Sequence, residues 1–164
     1  AETCWVHRIA NVLDKLPQRL QPKAKRALHA MMYAESRAAC LAEIGAFVAE
    51  YAAKYPKAVA SLTADQEHLL THFAFPAEHW GHLRTTNPIE STFATVKLRQ
   101  RVTKGAGSRT AGLTMAFKLL IMAQQRWRRL NAPHLVAQVR AGVRFRDGLR
   151  VERDTATQAV QTAA

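Results

Sequence analysis

The clearest regularity in the chain is a row of apolar residues stepping by three and four: Leu41, Ile44, Val48, Tyr51 and Tyr55. That spacing winds a single stripe along a helix and marks it as core. Ala38, Ala42, Ala46, Ala49 and Ala53 run beside the stripe, and their small side chains are expected to admit a neighbouring helix at close range. Ahead of it, residues 3–6 read as a short strand continuing into a helix that stops before Pro17. A second helix is predicted over residues 23–36, with Pro22 in its first turn. Pro56 breaks the striped helix. A short helix then starts at Thr63 or Asp65 and is ended by Phe75 and Pro76.

Beyond residue 83 the pattern changes. Asn87 suits an N-cap, Pro88 the first helical position, and Glu90 then falls at N3 of a helix running to about Val102. Residues 104–108 form a glycine-rich loop, residues 110–130 a long helix, and Pro133 opens another to about Ala141. Residues 143–151 read as a hairpin. A three-residue loop of Arg146, Asp147 and Gly148 would pair Phe145 with Leu149 and Val143 with Val151, whereas a two-residue turn would pair Phe145 with Arg150. The longer loop is the expectation. Residues 153–164 are small and polar and read as a tail.

Composition narrows the class. Of 164 residues, thirty are Ala against seven Gly and six Pro, which favours a mainly α protein and disfavours a β-sandwich. The most apolar stretch, residues 113–123, is short and carries Lys118, so no membrane span is expected. Two cysteines cannot form a disulfide framework, which fits a reducing compartment. No signal-peptide pattern opens the chain. Its first residue is Ala rather than Met, and the expectation is a fragment or a processed chain.

Charge divides the molecule. The net charge is +12, yet residues 1–83 hold nine basic and eight acidic side chains, while residues 84–164 hold fifteen and four. The first part is expected to be a near-neutral helical unit. The second, residues 84–152, is built to meet a polyanion, nucleic acid first among them.

Glu90 carries the most chemical interest. At 100° per residue, Lys97 and Arg101 lie about 20° to either side of it, while Ile89, Phe93 and Val96 define a neighbouring face expected to be packed. Asn87 and Glu90 also have capping-box spacing, in which the carboxylate returns to the Asn87 amide. A cap and a chemically active acid both remain open from the pattern. His68, His72, His79 and His82 lack the spacing of a zinc site and are read as solvated or packed. Trp80 is expected to be buried at the junction of the two parts. Trp127, among Arg126, Arg128 and Arg129, is read as packed on core, with stacking on nucleic acid as the other option.

The run Leu83-Arg-Thr-Thr-Asn-Pro-Ile-Glu-Ser-Thr-Phe93, followed by Lys97, Arg99 and Arg101, resembles the third catalytic motif of Mutator-type transposases of bacterial insertion sequences. Cys4 and His7, followed by Asn11, resemble the Cys-x-x-His element of that family. The run from Phe75 to Trp80 and the loop from Gly105 to Ser108 add to the likeness, which spans roughly residues 4–152. The resemblance implies helices belonging to an RNase H-like α/β core, interrupted by a helical insertion and followed by a small β-hairpin. It implies an Asp-Asp-Glu centre holding two Mg2+ or Mn2+ ions that cleaves and joins transposon-end DNA, with Glu90 as catalytic metal ligand. Lys97, Arg99, Arg101, Lys104 and Arg84 would contact DNA. The partners implied are transposon ends and target DNA, with assembly from several copies left open, in the bacterial cytoplasm at the nucleoid.

The family's two aspartates precede the Cys-x-x-His element, with which this sequence opens. Asp14, in a helical pattern with Val12, Leu13 and Leu16, cannot replace them. The expectation is a C-terminal portion of the catalytic region that is inactive alone and holds no metal stably. The competing readings are a non-catalytic nucleic-acid-binding helical protein, and an interaction module whose stripe from Leu41 to Tyr55 docks a partner.

Overall fold

Trp5, Ile9, Val12 and Leu16 step by four, three and four, and all four are buried. They form the inner face of α1 (Trp5–Leu13) and the turn after it, in a computed structural model that describes residues 4–127 and 129–152, the side chains of residues 87–89 excepted. Around α1 are α2 (Gln21–Met32), α3 (Arg37–Tyr51) and α4 (Pro56–Thr63), with α1 packed on α2 and α4, and α3 packed on the same two. Leu28, Met31, Ile44, Phe47, Tyr51 and Leu62 fill the space between them. The short α5 (Gln66–Leu70) and α6 (Trp80–Leu83), with 3-10 turns between, close this core with Leu69, Phe73 and Trp80. It is a helical unit, and burial within it accounts for the Leu41–Tyr55 stripe without a partner.

The stripe is placed with a rotation. Cys40, Ile44, Phe47 and Tyr51 are the buried row, while Leu41, Val48 and Tyr55 pack at its margin. The five flanking alanines are exposed rather than wedged between helices. Phe47 was the missing member: its ring stacks on Tyr51 at 4.4 Å between centroids and draws that side of the helix inward. α2 ends at Met32, short of residue 36, because Ser36 is needed as the N-cap of α3, where its hydroxyl accepts the Ala39 N–H at 3.1 Å. Trp5 is already helical, and Cys4 alone is extended, so the expected strand is absent from the described part of residues 3–6.

The second half begins with α7 (Asn87–Val102) and α8 (Arg109–Gln124), which pack on each other. α7 closes with Lys104 left-handed at φ 53°, its N–H on Arg101 O and the Gly105 N–H on Gln100 O, the paired bonds of a Schellman end. Ser108 caps α8 through the Ala111 N–H. α8 stops six residues before the expected end, because the N–H groups of Arg126 and Trp127 return to Ala123 and Gln124 in a tightened turn. Among the described residues neither helix has a buried side chain. Phe93, expected on a packed face, is exposed, as are Leu98, Val102, Leu113, Phe117 and Met122.

α9 (Leu135–Arg140) leads into an antiparallel pair, β1 (Phe145–Arg146) and β2 (Leu149–Arg150). The register is Phe145 opposite Arg150, so the two-residue turn forms and the three-residue loop does not. Asp147 (φ 49°) and Gly148 (φ 81°) both adopt positive φ, as a type I′ turn requires, and its twist matches the strands. The turn docks back on the first helical unit: Gly148 O accepts the Ala77 N–H and Asp147 Oδ1 accepts the Arg37 N–H. Among the described residues the chain is therefore mainly helical with one small two-stranded sheet, and none of the helices there is long and apolar enough to cross a membrane. The expected tail at 153–164 lies outside the described residues.

Candidate functional site

Two segments more than eighty residues apart in sequence meet at the start of α7. Cys4, extended at the N-cap of α1, is buried, and its sulfur accepts the Thr86 N–H at 3.4 Å. Beside it the Trp5 N–H donates to Arg84 O at 3.1 Å, and the thiol lies 3.9 Å from Arg84 O and from Thr85 Oγ1. Burial alone would push the Cys4 thiol up. The amides of His7 and Thr86 reach the sulfur and outweigh that effect, bringing the pKa down to about 7.

One turn along α1, His7 Nε2 lies 3.6 Å from Glu90 Oε2. The other carboxylate oxygen, Oε1, accepts the hydroxyl of Thr86. The His7 and Glu90 side chains remain 40% and 42% exposed. The helix begins one residue earlier than the sequence reading placed it: Thr86, not Asn87, is the N-cap, and the Glu90 N–H bonds Thr86 O at 3.0 Å. Glu90 is thus the fourth helical residue instead of N3. Thr86 makes no cap bond with its own side chain because its hydroxyl is engaged by the carboxylate. Thr86 is a site residue beyond those expected from the sequence, and its signal there is the one-turn spacing Thr-x-x-x-Glu.

Lys97, Arg99, Arg101 and Lys104 are all exposed along or just beyond α7. Lys97 and Arg101 follow Glu90 by about 10 and 16 Å of helix rise. Arg84 is placed differently. It is buried, with its guanidinium 5.0 Å from the Trp80 ring centroid and 5.5 Å from that of Tyr33, and burial lowers its pKa. Two ring faces replace solvent around it, so the structure sets it apart from the exposed cations.

The histidines do not converge. His72 is buried against Phe73 and Trp80, its Nδ1–H directed to Leu69 O at 3.0 Å, and burial drives its pKa down to about 4. His79 Nε2 faces Ala132 O, His82 Nε2 accepts the Asn131 N–H, and His68 is exposed. Among the described residues no three His, Cys, Asp or Glu side chains come together to hold a metal ion. Trp80 is buried at the junction, as expected. Trp127 is not packed on core: it is 57% exposed, with its indole N–H on Thr92 Oγ1 at 3.3 Å.

The sequence model of the Mutator family of transposases matches residues 1–129. The transposase for insertion sequence element IS6120 of Mycolicibacterium smegmatis is 55% identical over 154 residues, which are 94% of this chain and 48% of that protein. The transposase for IST2 of Acidithiobacillus ferrooxidans is 50% identical over 90% of this chain and 50% of its own length. The transposase for ISRM5 of Rhizobium meliloti (strain 1021) is 23% identical over 79% of this chain and 33% of its own. No solved structure matches. The chain spans about half the length of the first two of these relatives. A match over most of the sequence, together with relatives at half identity, shows that the chain belongs to the Mutator family of transposases.

Proposed function

We propose that the protein serves DNA transposition and that Glu90 is the acidic ligand it supplies to an Asp-Asp-Glu centre that cleaves and joins transposon-end DNA. The observation that carries this reading is the placement of Glu90: one carboxylate oxygen accepts the Thr86 hydroxyl and the other faces His7 at 3.6 Å, yet the group stays open to solvent, at the head of a helix lined with exposed cations. A carboxylate serving only as a cap would be directed to the backbone.

One carboxylate does not hold two divalent ions, and the described residues offer no further cluster. On this reading the two aspartates lie in the part of the relatives' length that the present chain does not span. The uncovered apolar residues of α7 and α8 support the same view, since Phe93, Leu98, Phe117 and Met122 are the kind of surface the rest of an RNase H-like core would cover. Lys97, Arg99, Arg101 and Lys104 would hold backbone phosphates, and Mg2+ or Mn2+ would supply charge stabilisation at the phosphate when bound.

The test is strand cleavage at a transposon end by a protein of the relatives' full length carrying this sequence. Glu90→Gln is expected to lower the metal-dependent rate by about a thousandfold or more, a loss of roughly 4 kcal/mol, with DNA affinity within a few-fold. Undiminished cleavage removes Glu90 from the centre. The strongly basic second half favours a second reading, a non-catalytic DNA-binding protein, for which cleavage by the long form would be absent altogether.

A further inference from the structure

The spacing of the Cys-x-x-His element acquires a physical meaning from what each member touches. Cys4 at the N-cap and His7 at the third helical residue share one face of α1, as residues three apart do. Both bear on the same carboxylate. Cys4 reaches it through an intermediary: the buried sulfur takes the Thr86 N–H, and the Thr86 hydroxyl goes to Glu90 Oε1. His7 stands beside it with no intermediary, Nε2 lying 3.6 Å from Oε2, close enough for an electrostatic contact though longer than a hydrogen bond.

We propose that Thr86 and His7 are positioning residues that lock the Glu90 side chain in one rotamer, with Cys4 fixing Thr86 from behind. The proposal rests on reading Glu90 as the acidic ligand, and it assigns the Cys-x-x-His element to orientation of that ligand. A glutamate has three rotatable side-chain bonds, and ordering one on binding costs conformational entropy. A hydrogen bond on one oxygen and an imidazole neighbour 3.6 Å from the other restrict that freedom beforehand. A carboxylate has about four lone-pair sites, so these two contacts leave capacity for further ligation. Threonine suits its place because its branched Cβ restricts χ1, which aims the hydroxyl. Supporting groups of this kind orient ligands at metal sites generally.

The experiment uses the 164-residue chain itself. Relaxation of the 13C-labelled Glu90 γ-methylene is compared in the unaltered protein and in Thr86→Val, Thr86→Ser, His7→Ala and His7→Gln, each checked for an unchanged melting temperature. The expected order parameter is about 0.8 in the unaltered protein, slightly lower in Thr86→Ser, which keeps the hydroxyl without the branch, and below about 0.6 in Thr86→Val and His7→Ala. Recovery in His7→Gln, whose amide restores a donor, would separate orientation from simple packing. Should Thr86→Val fail to fold, the two His7 variants decide alone, because that side chain is half exposed. A Glu90 side chain already averaging between rotamers in the unaltered protein overturns the proposal, as does one equally ordered in Thr86→Val and His7→Ala. Neither result bears on the cleavage assay of Glu90→Gln, so failure of the positioning role and failure of the catalytic reading are distinguishable.

Discussion

A Cβ placed on Gly148 would lie 2.5 Å from the Cβ of Ala77, far inside the van der Waals contact of two side chains. The β-turn is pressed onto the first helical unit at that point, with the Ala77 N–H on Gly148 O at 3.2 Å. Gly148→Ala should therefore be destabilising twice over, by the methyl contact and by the φ of 81°. The two effects together amount to about 2–4 kcal/mol. The measurement is denaturant unfolding of Gly148→Ala alone and combined with Ala77→Gly. The double variant should recover the part of the contact due to the Ala77 methyl and keep both the strained φ and the 3.0 Å approach to Ala77 Cα and N. A single variant as stable as the parent would mean the hairpin does not dock there.

His72 sets a pH dependence with a definite sign. Its folded pKa is depressed to about 4 by burial, below the ordinary 6.5 of an exposed imidazole. Between those values the unfolded chain binds the extra proton and the folded one does not, so stability falls as the solution is acidified from about 6.5 towards 4. The full difference corresponds to roughly 3 kcal/mol. Most of it, about 2 kcal/mol, should separate the unfolding free energies at pH 7 and pH 4.5, and His72→Gln should flatten that part of the profile. A His72→Gln profile as steep as the parent's would place the acid sensitivity elsewhere.

Arg84 is predicted to matter for folding and little for DNA. Its guanidinium lies between Trp80 and Tyr33, and its carbonyl takes the Trp5 N–H. Arg84→Ala removes the side chain from between two rings and should lower stability by about 2 kcal/mol, while the slope of log affinity against log salt stays unchanged. Lys97→Ala should do the reverse: no measurable loss of stability, and a slope shallower by about one unit. An Arg84→Ala slope that also drops by one would return Arg84 to the phosphate-facing set.

These contrasts mark where sequence patterns are informative. The helix carrying Glu90 and its row of Lys97 and Arg101 was legible, because Pro88 and the 100° period act locally. The bracket around Glu90 was not. It joins Thr86 to Cys4 across 82 positions, and no periodicity reports a contact at that range. Likewise the alanines beside the Leu41–Tyr55 stripe look like packing residues in one dimension, yet Phe47 turns the helix so that they face solvent. For the hairpin, both turn lengths suit Gly148. Only the positive φ of Asp147 selects the shorter one, and an aspartate tolerates either conformation.

Trp127 offers a direct reading of whether this chain meets nucleic acid through an aromatic surface. Trp5 and Trp80 are 1% and 8% exposed, whereas Trp127 stands 57% exposed with its ring fixed by the Thr92 hydroxyl and Arg126 and Arg129 close in sequence. Any quenching of tryptophan emission by DNA must then come mainly from Trp127. Unpaired DNA, which presents base faces, is expected to quench it and to bind Trp127→Ala about tenfold more weakly, the equivalent of 1–3 kcal/mol for a stacked base. Intact duplex, bound through phosphates, should lose little on the same substitution. If unpaired DNA binds with full affinity and leaves the emission unchanged, the exposed indole belongs to a surface covered by protein, and the contact with DNA is made by the cations alone.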